Sequence, residues 1–240
     1  MKLLLILIIS LSVFADYSSY QVDDKETHEK TKVKMISGKK DSNRFYQGNL
    51  SQVFSHPFEK VVIAVSNFTE KCNNELKDKR ELTDKKYECP YHNTNLVESK
   101  IYKVTKDYKK EENETDRYLI ARRIYNRSSF SHMDLVRVYE TKNVSGKRVL
   151  TITQEMLTDK KANALVDNPL DQDSAFQKAF AKYTITEIDN KSTILNYYYA
   201  SETDHWLLNK SISVGKVFDS MGASIGLLFD SISKKLKGKS

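Results

Sequence analysis

WLLNKSISVGKVFDSMGASIGLLFDSISKKL, residues 206–236, is the stretch on which the reading of this chain turns. Within it Val214, Val217, Phe218, Met221, Ile225, Leu228, Phe229, Ile232 and Leu236 recur at steps of three and four. At 3.6 residues per turn they share one face, so the spacing predicts a single long helix from Trp206 to Leu236 with one apolar stripe. That stripe must cover something apolar. Gly215, Gly222 and Gly226 lie on its flank, where the lack of a side chain would let a backbone or a ligand come close.

What precedes the helix supplies the surface to cover. Six segments dense in Tyr, Ile, Val and Thr follow one another: Val97 to Tyr108, Arg117 to Asn126, His132 to Thr141, Lys147 to Leu157, Phe180 to Ile188 and Thr193 to Ala200. They read as antiparallel strands, with Asn143-Val144-Ser145-Gly146 and Asp189-Asn190-Lys191 as hairpin turns and a longer acidic turn around Asn113. Residues 158–179, with Asn168-Pro169, interrupt the run as an insertion. Upstream, Arg44 to Phe54 is extended, with Phe45, Leu50, Val53 and Phe54 as apolar anchors. Ser55 and Pro57 then open a helix to about Cys72, whose face is Phe58, Val61, Val62, Val65 and Phe68. Residues 73–95 form a charged excursion with room for a short second helix.

Strand, helix, short helix, six antiparallel strands and a long terminal helix is an order that resembles the START-like, helix-grip superfamily (SRPBCC, Bet v 1-like). The resemblance covers roughly residues 44–238 and rests on topology, on Ser55-His56-Pro57-Phe58-Glu59-Lys60-Val61 as a strand-to-helix entry, and on the terminal helix. It implies an α+β, helix-grip fold, a seven-stranded curved antiparallel sheet wrapped around a long C-terminal helix. It also implies binding of a lipid, sterol, polyketide or other apolar small molecule in a cavity between sheet and helix.

Alternation assigns the faces of each strand. Leu150, Ile152, Gln154 and Met156 share a face, as do Tyr183 with Ile185, and Leu195 with Tyr197 and Tyr199. With Phe218, Met221, Gly222 and Ile225 from the helix, and Trp206 as a plug or platform at its start, these are the candidate ligand-binding residues. The bland alternative is that they fill a core. Arg122 and Arg123 are adjacent in a strand, so one should point inward, where it needs a carboxylate or an anionic ligand head group as partner.

Catalysis has little support. The five histidines show no metal-binding spacing, and no nucleophile elbow or phosphate-binding glycine loop appears. His132 with Asp134, two residues on, share a strand face, and Asp204 adjoins His205. The expectation is a binding protein rather than an enzyme, without cofactor or metal.

Compartment follows from the N-terminus. Met1-Lys2, an apolar run from Leu3 to Phe14 and Val13-Phe14-Ala15 read as a secretory signal peptide over residues 1–15, with an uncleaved anchor as the alternative. Residues 16–43 are polar and charged, with one short apolar island at Val33, Met35 and Ile36, and are expected to form a flexible N-terminal arm before a domain at 44–238. In an exported chain Cys72 and Cys89 are expected to pair as a disulfide closing a loop of about 17 residues, worth roughly 3 kcal/mol. Free thiols and a metal site remain the alternatives.

Seven Asn-x-Ser/Thr triplets, at Asn49, Asn67, Asn113, Asn126, Asn143, Asn190 and Asn209, would be glycan acceptors in a eukaryotic secretory pathway. The Lys/Asn/Ile-rich style equally fits an AT-rich bacterial genome, which makes the periplasm the expected compartment. The formal charge of +7 suits an anionic membrane surface better than nucleic acid once the chain is exported. The leading reading is an exported monomer that binds or transfers an apolar molecule. The alternative is an envelope structural or interaction protein with a filled core and a basic surface.

Overall fold

The computed structural model describes residues 25–30, 33–66, 96–102, 110–126, 128–165 and 176–238. Cys72 and Cys89, the signal segment 1–15, the 73–95 excursion and Asn168-Pro169 lie outside the described residues.

Strands β1 (Lys25–Lys30), β2 (Val33–Lys40) and β3 (Asn43–Phe54) lead into helix α1 (Phe58–Ser66). Then come β4 (Leu96–Tyr102), β5 (Glu114–Asn126), β6 (Ser128–Lys142) and β7 (Arg148–Leu157). A short helix α2 (Asp159–Leu165) precedes β8 (Lys178–Asp189), β9 (Ser192–Thr203), a 3₁₀ turn (Ser211–Ser213) and helix α3 (Val214–Leu236). All pairings are antiparallel, in the order β1-β2-β3-β9-β8-β7-β6-β5-β4. From β3 to β4 this is the expected seven-stranded helix grip: the first strand, before the helix, pairs with the last, and α3 lies in the concave face. The fold is START-like.

Two expectations need correction. The segment 16–43 contains two strands that widen the sheet to nine. Its short apolar island could not order itself alone. Pairing with the free edge of β3 satisfies its backbone, and Val33, Met35 and Ser37 turn inward together, with Met35 packed at Gly222 of α3. The long helix begins at Val214, not Trp206. Lys210 is extended (φ −79°, ψ 139°), which ends any helical run before it. The carbonyls of Leu208 and Asn209 are instead taken by the Tyr46 hydroxyl (2.6 Å) and Arg44 Nε (3.2 Å).

The hairpin turns form as their residues dictate. Asn143 Oδ1 accepts the N–H groups of Ser145 (3.0 Å) and Lys147 (2.9 Å), and Gly146 takes φ 79°. Asp189 Oδ1 accepts from Lys191 N–H (2.8 Å), and Asn113 stands in the left-handed region at φ 62°. Helix α1 starts one residue after Pro57, whose carbonyl accepts from Lys60 and Val61, and buries Phe58, Val61, Ala64 and Val65. Lys235 of α3 donates to the Ala64 carbonyl at its far end (3.2 Å), so the two helices brace each other.

The core has two parts. The larger lies between the concave face and the helices, where Phe229 of α3 stacks near-parallel on Phe54 and meets Tyr197 edge-on, while Phe218 meets Tyr46 at 87°. The smaller, on the convex face, packs Leu119, Met133, Leu135 and Leu157 under Ala162 and Leu165 of α2. Val53, expected as an apolar anchor, is 55% exposed. The inward residues of β3 are Arg44, Tyr46, Gly48 and Leu50, and Phe45 is buried as well.

Candidate functional site

Residues directly opposite in an antiparallel pair share a face, so the register assembles the concave wall. Ile152 stands opposite Val138 and Tyr183, Gln154 opposite Val136 and Ala181, and Met156 opposite Asp134. Tyr197 pairs with Tyr183, Tyr199 with Ala181, and Leu195 with Ile185. The wall is apolar along most of its length and polar at one end.

That polar end is built around Asp134, 2% exposed. Its Oδ2 accepts Gln154 Nε2–H at 2.8 Å and lies 3.3 Å from His132 Nε2. Gln154 Oε1 is buried with no hydrogen-bond partner among the described residues. An amide oxygen left so costs about 1–3 kcal/mol, which makes it an acceptor waiting for a donor. Tyr199, on the same face, is pushed up to about 12 by burial; the Asp134 charge acts the same way and the Ser201 hydroxyl opposes it. Its phenol is therefore a protonated donor throughout the physiological range. By register Arg122 sits opposite His132 and Arg123 opposite Ser131. A donor, the Tyr199 phenol, and an open acceptor, Gln154 Oε1, at the end of an apolar wall suit a hydroxyl or carbonyl head group on an apolar body.

The other expected residues divide. Ile152, Tyr183, Ile185, Phe218 and Ile225 are buried in one continuous cluster, with Tyr197, Tyr199 and Met221 packed against it. Gly222 is close-packed against Met35, whereas a side chain at Gly215 or Gly226 would meet open space. Met156 is buried beside the polar end. Trp206, expected as a plug, is 68% exposed, because the turn that replaces the first helical turns carries it outward. A separate open groove of about 220 Å³ lies where the C-terminal end of α3 meets the β3–α1 junction, lined by Gln52, Phe54, His56, Ser233, Leu236 and Lys237 among others. Among the described residues no three metal-binding side chains cluster.

Sequence reasoning paired His132 with Asp134 by alternation and chose Gln154, but did not join them. The link is a cross-strand one that only register supplies. It missed Gly48, where a Cβ would lie 2.8 Å from Ile225 Cδ1 and 3.0 Å from Met221 Sδ. A glycine inside the Arg44–Phe54 strand was the available signal for such a close approach. It also missed Arg44, 2% exposed, which bonds Ser37 Oγ (3.2 Å), Ser211 Oγ (2.9 Å) and the Asn209 carbonyl.

No protein-family model matches the chain, and no curated protein matches it in sequence. Solved structures do. A STAR-related lipid transfer protein fragment from Xanthomonas axonopodis is 12% identical with TM-score 0.48, over 88% of this chain and 99% of that one. Human StAR-related lipid transfer protein 5 is 11% identical with TM-score 0.48, over 88% and 86%. The Zhui aromatase/cyclase from Streptomyces is 7% identical with TM-score 0.42, over 80% and 96%. The likeness is one of fold, and the strand order and the gripped helix define that fold as the START-like helix grip.

Proposed function

We propose that this protein binds one molecule of a lipid or other apolar compound carrying a hydroxyl or carbonyl group, and carries it without altering it. The apolar body lies between the sheet and α3, and the polar group meets Gln154, Tyr199 and the His132–Asp134 pair. The observation that carries this reading is the open Gln154 Oε1 beside buried Asp134 at the end of an apolar wall. Solved structures of similar fold include proteins named for lipid transfer, which agrees with the same ligand class. We further propose export as a monomer, with the periplasm as the compartment and no nucleic-acid partner, on the strength of residues 1–15 and the charge of +7.

The test is native mass spectrometry of the protein purified from its own source, followed by extraction of anything bound. A stoichiometric apolar molecule with a polar end is the expected result. Gln154→Leu removes the open acceptor and should lower affinity for that molecule about tenfold; it also takes the Nε2–H donor from buried Asp134, so stability should fall by about 1–3 kcal/mol, read from a thermal melt.

A second reading, an envelope interaction protein with a filled interior, draws on the continuous packing of Ile152, Ile185, Leu195, Phe218, Ile225 and Phe229. An empty protein that takes up nothing from a lipid extract would decide for it.

A further inference from the structure

Three of the seven exposed large apolar residues among those described lie within seven positions: Trp206 (68%), Leu207 (44%) and Ile212 (85%). They occupy the turn between β9 and α3. An exposed apolar side chain on a loose loop means little, but this turn is fastened from within. Ser213 Oγ holds the Leu207 carbonyl (2.8 Å), Tyr46 Oη the Leu208 carbonyl and Arg44 Nε the Asn209 carbonyl. Arg44 Nη2 also holds Ser211 Oγ, and Asn209 Nδ2 donates to the Ser42 carbonyl. With three successive carbonyls drawn inward by buried or half-buried groups, the side chains of Trp206, Leu207 and Ile212 are displayed outward by a fixed backbone.

Charge identifies what the tip suits. From Trp206 to Phe218 the only charged residues are Lys210 and Lys216, and the first turn of α3 has no acid. Lys210 Nζ lies 5.1 Å from the centre of the Trp206 ring, so the cation sits at the level of the indole. Tryptophan with an adjacent lysine and short aliphatic side chains matches the boundary between acyl chains and anionic head groups. There the indole takes the interface, Leu and Ile enter the hydrocarbon and lysine reaches phosphate.

We infer that the Trp206–Ile212 turn is a preformed docking tip that inserts into the surface of an anionic phospholipid bilayer. The tip stands on geometry outside the concave wall, so it is independent of whatever the interior holds.

Trp206 is the sole tryptophan of the chain, which makes the full-length protein its own probe. Mixed with phosphatidylglycerol/phosphatidylcholine vesicles, it should shift its emission to shorter wavelength and be quenched by brominated acyl chains, with much weaker effects on pure phosphatidylcholine. Ile212→Asp, at the most exposed of the three, should cut partitioning at least tenfold with an unchanged melting temperature, and Leu207→Asp should act likewise. Lys210→Glu should abolish the preference for anionic vesicles. The inference is overturned by protein that pellets with vesicles while Trp206 stays unquenched, since another surface would then hold it. Absence of pelleting overturns it too, as does an emission shift that follows protein concentration without lipid, which would assign the tip to a second copy of this chain. Retention of extracted ligand by the Ile212→Asp protein would separate failure of the tip from failure of the interior site.

Discussion

Gly48 shows how much one absent side chain can set. It faces α3 from β3, opposite Tyr199 on one side and Met35 on the other. The atoms a Cβ would strike are the tips of Ile225 and Met221, which can yield a little; branched atoms beyond the Cβ leave them nowhere to go. Gly48→Val should therefore cost about 2–3 kcal/mol, read from urea denaturation. The helix glycines sort differently by the same criterion. Gly215 and Gly226 have open space around them, so Gly215→Ala and Gly226→Ala should each raise stability by about 1 kcal/mol, whereas Gly222 is held small by Met35. Equal stabilisation by alanine at all three would contradict the packing described. The sequence placed these glycines on one flank of a stripe. It could not say which of them has a neighbour, because the neighbours come from strands more than 170 residues away in the chain.

At the scale of elements, periodicity told most. The apolar stripe of α3 is the buried face found, with Val214, Phe218, Ile225, Phe229 and Ile232 all inside. The alternation of β7 assigned Ile152, Gln154 and Met156 to the interior correctly. Propensity failed where tertiary partners overruled it. Trp206 to Lys210 has helix-forming residues, yet Arg44 and Tyr46 capture the carbonyls a helix would have used. Residues 33–40 carry only a short apolar island and become a strand because an open edge was available to them. What holds α3 down is aromatic: Phe229 between Phe54 and Tyr197. Phe229→Ala should cost about 3–5 kcal/mol by equilibrium unfolding. A loss below 1 kcal/mol would mean that the helix is not anchored there.

For the molecule as a whole, buried phenols couple stability to alkaline pH. Tyr198 and Tyr199 are pushed up to about 12 by burial, and Tyr139 to about 12 by burial and its hydrogen bond to Glu111. Their folded values lie above the ordinary tyrosine value of 10.0, so between 10 and about 12 the folded state binds more protons than the unfolded one. The stability they contribute is complete below pH 10 and drains away as the pH rises through that window. Thermal melts recorded with tyrosine absorbance should show phenolate appearing together with unfolding; phenolate formation in a fully folded protein would refute the burial of these groups.

The strand order also bears on how the molecule comes into being. β9 is the last strand of the chain, yet it lies between β3 and β8, and its partner residues Arg44 and Thr203 stand 159 positions apart. A nascent chain that has not yet delivered residue 203 can form the β1–β3 hairpins and the β4–β8 meander, but it has nothing to join them with. Sheet closure is therefore a late, high-contact-order event that waits on delivery of β9. Translation stopped short of β9 would leave the edges of β3 and β8 unpaired, so the sheet stays open to handling by other factors until nearly all of the chain has been made.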